Sequence, residues 1–141
     1  MKRPDPKGST TASVLDLYKE EVLDHYQHPR NQGELTDPDV VAKDANASCG
    51  DMFEFQLRLK GEKGREVIKT VKWKGIGCAI STASASKFSE WLTGKPVTAV
   101  AASSEEELAR HLGFTVNPGR KKCLMLPITI VHTELGRADR S

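Results

Sequence analysis

The chain has 141 residues, 38% hydrophobic and 28% charged, which supplies one modest core beneath a well-charged surface and leaves little room for a second domain. Net charge is only +2, from 21 basic and 19 acidic residues, so there is no strong electrostatic case for a nucleic-acid partner. Mean hydropathy is −0.47 and no apolar run approaches the roughly 20 residues of a membrane-spanning helix.

The Lys/Pro/Ser/Thr-rich start, residues 1–13, lacks the apolar centre of a secretory signal and reads as a disordered lead-in to a cytoplasmic protein. A single domain is expected over residues 14–137. Its first element is an amphipathic helix at 14–27, with Leu15, Tyr18, Val22 and Tyr26 at helical spacing and His28-Pro29 ending it. Loop composition follows at 29–39, then a weak strand at about Val40 to Ala47.

From Met52 to Lys60 the residues Phe53, Phe55, Leu57 and Leu59 alternate with Glu54, Gln56, Arg58 and Lys60, the period of a half-buried strand. A turn at Gly61 to Gly64 leads into a second strand, Val67 to Ile76, with Val67, Val71 and Trp73 expected on one face. Together they make an antiparallel hairpin.

After Gly75-Ile76-Gly77 the period becomes helical, roughly Ile80 to Thr93, with Ser81, Ser84, Ala85, Phe88, Trp91 and Leu92 on a shared face. A short helical turn at 97–102 precedes Ser104 and Glu107, a capping box for a helix that Gly113 stops. The last helix carries Leu124, Ile128, Val131 and Leu135 and is expected to run to about Gly136. Its start is placed near Cys123 or Leu124, so that Pro127 falls in the first turn. Residues 138–141 read as a frayed tail. The sum is an α+β fold: a small antiparallel sheet of about three strands with helices packed mainly on one face.

Three cysteines cannot all pair within one chain, and with no secretory signal the expected compartment is reducing, where thiols serve metals or catalysis. Their spacing is not that of a zinc ribbon, but their settings are informative. Cys49 precedes Gly50-Asp51 at a turn before the best strand, Cys78 sits at a strand-to-helix junction, and Cys123 follows a basic loop at a helix start. Helix N-termini favour a thiolate, whereas a core cysteine has no reason to prefer element ends. Asp51 is open to two readings, a fourth and harder metal ligand beside three thiols or a residue that merely caps a turn.

Four motifs in chain order are recognisable. Asp24-His25-Tyr26-Gln27-His28-Pro29-Arg30-Asn31-Gln32-Gly33, Cys49-Gly50-Asp51, Gly75-Ile76-Gly77-Cys78-Ala79-Ile80-Ser81 and Pro118-Gly119-Arg120-Lys121-Lys122-Cys123 resemble the landmarks of the IscU/SufU/NifU N-terminal family over about residues 15–136. The resemblance implies an iron–sulphur cluster assembly scaffold that accepts sulphur from a cysteine desulphurase, builds a labile, transient [2Fe-2S] cluster and passes it to apo iron–sulphur proteins. It implies Cys49, Asp51, Cys78 and Cys123 as ligands, Zn2+ as an alternative occupant, and Cys123 or Cys49 as the first persulphide acceptor. Lys122, in the place of a histidine, is SufU-like; the short interval from Cys78 to Cys123 is IscU-like. Thr115-Val116-Asn117-Pro118-Gly119 stands where IscU carries its Hsp70-binding stretch, which puts that chaperone in doubt as a partner.

A scaffold is therefore the first reading. A SufU-type zinc-dependent sulphurtransferase is the alternative and a structural zinc module the third. Whether the chain is an enzyme turns on that choice. His25, His28, His111 and His132 are read as structural rather than ligating, and Trp73 and Trp91 as core aromatics. Lys72, Lys74 and Arg120 to Lys122 are read as solvated surface, or else as a dock for an acidic face of the desulphurase.

Overall fold

The computed structural model describes residues 20–46, 50–114, 116 and 118–140. The lead-in expected at 1–13, the first residues of the helix expected at 14–27, and Cys49 lie outside these. Residues 20–27 form helix α1, and His28 N–H closes its last turn on the Asp24 carbonyl at 2.8 Å before Pro29. Three strands follow, β1 (Val40–Asn46), β2 (Asp51–Lys60) and β3 (Val67–Ile76), then helices α2 (Ala79–Leu92), α3 (Val97–Ala102), α4 (Glu105–Leu112) and α5 (Lys121–Arg140).

The strands form one antiparallel sheet in the order β1-β2-β3, which is the α+β architecture expected. The alternation in β2 does what its period dictates: Phe53, Phe55 and Leu57 face inward and are buried, together with Val40 and Ala42 of β1 and Val71 and Trp73 of β3. Helices α2 and α5 cover this face with Phe88, Leu92, Leu124, Ile128, Val131 and Leu135. Each fully buried large side chain contributes roughly 1.5–3 kcal/mol by leaving water. Among the described residues the 30–39 segment lies over the outer face, where Leu35 N–H donates to Gln56 Oε1 at 2.7 Å and Glu34 pairs with Lys74. Met52 and Ile76 at its far end stay exposed.

Three expectations need correction. On β3 the core position is Ile68 rather than Val67, because the register shifts opposite Arg58/Leu59 and the bulge turns Lys69 outward. On α1 the buried residue is His25, 5% exposed, while Tyr26 is 45% exposed; the His25 ring meets Ser86 Oγ of α2 and lies edge-on to Phe114, and these partners turn that side of the helix inward. Helix α5 begins at Lys121, directly after a 3-10 turn at Pro118–Arg120, so Pro127 falls in the second turn, and the helix continues past Gly136 to Arg140. Burial of Leu124, Ile128 and Val131 against sheet and helices carries the helix through the proline.

Helix α4 opens as read. Ser104 Oγ accepts from Glu107 N–H at 3.1 Å, the Glu107 carboxylate accepts from Ser104 N–H at 2.9 Å, and Gly113 closes the helix at φ 72°, a conformation that glycine adopts without strain. Among the described residues no helix is long and apolar enough to cross a membrane.

Candidate metal centre

Three elements bring chemistry to one end of the sheet. Asp51 is the first residue of β2, opposite Asn46, and as an inward position it is buried, 3% exposed. Cys78 is the N-cap of α2, immediately after β3 and the glycine-bracketed Ile76. Cys123 lies in the first turn of α5, 6% exposed.

Gly77 lets β3 run into α2 without clearance. A Cβ there would fall 2.3 Å from Ser81 Oγ and 2.8 Å from Phe53 Cζ, so only glycine fits ahead of Cys78.

The result is convergence: one ligand atom from each of Asp51, Cys78 and Cys123 lies within 4.8 Å of the others. Asp51 Oδ2 is buried and has no hydrogen-bond partner among the described residues. A carboxylate oxygen removed from water and left unpartnered is costly, and a cation held jointly with two thiolates is what would offset that cost. The donor set fits. Two sulphurs and one oxygen at this separation suit a tetrahedral zinc ion or thiolate-bound iron, with room for a fourth ligand.

Burial pushes the Cys78 thiol up, but hydrogen bonds from the Ser81 N–H and hydroxyl, from Cys123 and from the Ile80 N–H outweigh it and hold the thiol below its ordinary value. The N-termini of α2 and α5 both open here and add their positive ends. Lys122 is exposed, and Lys121 is engaged with Glu106 at 3.2 Å.

None of the four histidines joins this group. His25 Nδ1 contacts Ser86 Oγ at 2.7 Å, His132 Nε2 contacts the Ser103 carbonyl at 2.7 Å, His111 stacks on Trp91 at 4.7 Å, and His28 is exposed. Trp73 is a core residue as expected, its indole N–H donating to the Arg30 carbonyl at 2.8 Å. Trp91 is only partly buried, between His111 and Lys95.

Sequence reasoning missed two things. Ser81 was read as one small residue on a helical face, but it stands at the third helical position after a cysteine cap, the capping-box spacing that could have singled it out. The Pro29-Arg30-Asn31-Gln32-Gly33 motif was used as a landmark without a structural job. It clips the chain to the body: Arg30 N–H donates to Ser86 Oγ at 2.9 Å, Asn31 Nδ2 to Ser89 Oγ at 3.0 Å, and Gly33 N–H to the Trp73 carbonyl at 2.9 Å.

With this geometry established, comparison with known proteins is decisive. The NifU-like N terminal domain family matches residues 17–136. The chain belongs to that family. Among curated members it is 35% identical over 97 residues to the zinc-dependent sulfurtransferase SufU of Bacillus subtilis, covering 69% of this chain and 63% of that protein. It is 31% identical over 118 residues to the iron-sulfur cluster assembly scaffold protein IscU of Aquifex aeolicus, covering 84% and 73%. A bifunctional NifU/MnmA protein of Rubrobacter xylanophilus matches at 31%, and there the chain spans only 23% of the relative's length. A solved structure described as a candidate iron–sulphur cluster assembly scaffold for the SUF system, from Fervidobacterium islandicum, superposes with a TM-score of 0.67 at 25% identity, covering 82% of this chain and 94% of that one. The resemblance to IscU, SufU and NifU proteins read from the motifs holds.

Proposed function

We propose that this NifU-like domain is an iron–sulphur cluster assembly scaffold, with Cys49, Asp51, Cys78 and Cys123 as the ligands of its cargo. The observation that supports it most is the buried Asp51 carboxylate, one oxygen of which has no hydrogen-bond partner among the described residues, beside the sulphurs of Cys78 and Cys123. Cys49 enters by sequence alone, since two peptide steps tie it to Asp51, a span of at most about 7 Å between Cα atoms.

Sulphur arrives as the terminal atom of a persulphide on a cysteine desulphurase. An acceptor thiolate, Cys123 or Cys49, attacks that outer sulphur; the new S–S bond forms on the scaffold and the donor leaves as its own thiolate. Two such outer sulphurs, each reduced to sulphide by two electrons from an external reductant with release of the acceptor cysteine as thiolate, complete a [2Fe-2S] cluster with two irons. The one oxygen ligand is the hardest donor in the set, so it is the first displaced when an apo-protein's thiolate approaches.

A zinc-dependent sulphurtransferase is the second reading. Lys122 beside Cys123 and the name of the Bacillus relative favour it. Anaerobic reconstitution with iron, cysteine and a desulphurase separates the two. A transferable visible circular dichroism signal of a [2Fe-2S] centre is expected, and Cys49→Ser, Cys78→Ser or Cys123→Ser should each weaken metal retention. Zinc held tightly while the desulphurase turns over faster, with no cluster, would favour the sulphurtransferase. Zinc without any sulphur acceptance would leave a structural site.

A further inference from the structure

A ligand cysteine at a helix cap has freedom to turn its sulphur along the helix start instead of into the site, so something must fix it. We propose that Ser81 is a positioning residue for Cys78, aiming its sulphur toward Asp51 and Cys123 and donating to it once it carries a metal. This rests on Cys78 being a ligand, as argued above.

Ser81 is fully buried, and both of its donors reach one sulphur: its N–H lies 3.5 Å and its Oγ 3.6 Å from Cys78 Sγ. The same hydroxyl lies 3.2 Å from the Cys78 carbonyl. In the thiol state Cys78 can give its hydrogen to Ser81 Oγ while that hydroxyl donates to the carbonyl. A metal-bound thiolate has no hydrogen to give and can only accept. The Ser81 hydroxyl then turns its hydrogen from carbonyl to sulphur by rotation about Cβ–Oγ, with no movement of the backbone.

Two other serines of the helix give their hydroxyl hydrogens to backbone carbonyls. Ser84 Oγ donates to the Leu124 carbonyl at 2.7 Å and Ser89 Oγ to the Ser86 carbonyl at 2.6 Å, both also buried. The close approach of Gly77 preserves the space that the Ser81 hydroxyl occupies. Hydrogen bonds to ligating atoms set both the orientation and the electronic character of a metal site.

The full-length chain and its Ser81→Ala and Ser89→Ala variants are loaded with Co2+ and, separately, Zn2+. The sulphur-to-cobalt charge-transfer band and metal release to a chelator are then measured. Ser81→Ala should move the band to lower energy and weaken retention about ten-fold, the usual scale for losing a partner of a metal ligand. Ser89→Ala should lower the unfolding midpoint and leave band and release as in the parent. An unmoved band with parental release in Ser81→Ala would overturn the inference, as would the same changes in Ser89→Ala. If the parent chain takes up neither metal, the ligand reading itself falls and this inference with it, whereas a loaded parent with an indifferent Ser81→Ala condemns only the role of Ser81.

Discussion

The imidazole of His25 meets the hydroxyl of Ser86 at 2.7 Å, Nδ1 to Oγ, across 61 positions of sequence. That contact fastens α1 to α2 and has an electrostatic consequence. Burial lowers the pKa of His25 below its ordinary 6.5, and the nearby Arg30 and Lys87 cations lower it further against the opposing pull of Glu90 and Glu21. Because the folded value lies below the unfolded one, falling pH protonates the unfolded chain first. The stability tied to neutral His25 is complete above about 6.5 and is lost as pH falls toward and through the folded value. Denaturation midpoints taken from about pH 7.5 to about pH 5 should decline, and His25→Asn should flatten that decline. An unchanged slope in the variant would assign the effect to other groups.

Asp51→Ala should have opposite effects on the two forms of the protein. One of its buried oxygens has no hydrogen-bond partner among the described residues and burdens the metal-free fold, so removing it should raise metal-free stability by about 1 kcal/mol, at the low end of the penalty for an unsatisfied buried group. The loaded form should lose stability because an oxygen ligand is gone. Thermal unfolding with and without zinc reads both signs, and destabilisation of the metal-free variant would show that the carboxylate has a structural partner instead.

Gly77→Ala should disturb two neighbours at once. The added methyl would fall 2.3 Å from Ser81 Oγ and 2.8 Å from Phe53 Cζ, neither of which has free space to retreat into. A loss of about 1–3 kcal/mol in urea unfolding is expected, the usual cost of overpacking. Metal retention should fall as well, because Cys78 is the next residue.

Ser104→Ala removes one half of the capping box that opens α4. About 1 kcal/mol should be lost in the same urea assay. Metal retention should be unchanged, since α4 contributes no member of the converging group.

Local chemistry made much of this legible beforehand. The alternation of β2, the Ser104/Glu107 pair and the placement of Cys78 and Cys123 at helix starts are decided within a few residues of sequence, and each is present. What escaped depends on distant partners. Ile68 replaces Val67 in the core because of a bulge against β2, and no feature of β3 by itself announces that bulge. His25 is buried because Ser86 and Phe114 wait for it on other elements. The convergence of Asp51 with two thiols is what the family motifs imply, while the buried Asp51 oxygen with no hydrogen-bond partner among the described residues is visible only in three dimensions.

Pro127 sets one more property of α5. A proline has no N–H, so the carbonyl one turn back, that of Cys123, receives no ladder bond from this position, and the ring crowds the same carbonyl. The turn bearing the third thiol is thereby coupled less stiffly to the rest of the rod behind it. With that rung missing, it is the burial of Cys123 and Leu124 in this turn, and of Ile128 and Val131 beyond it, that keeps the third thiol in line with the rest of the helix.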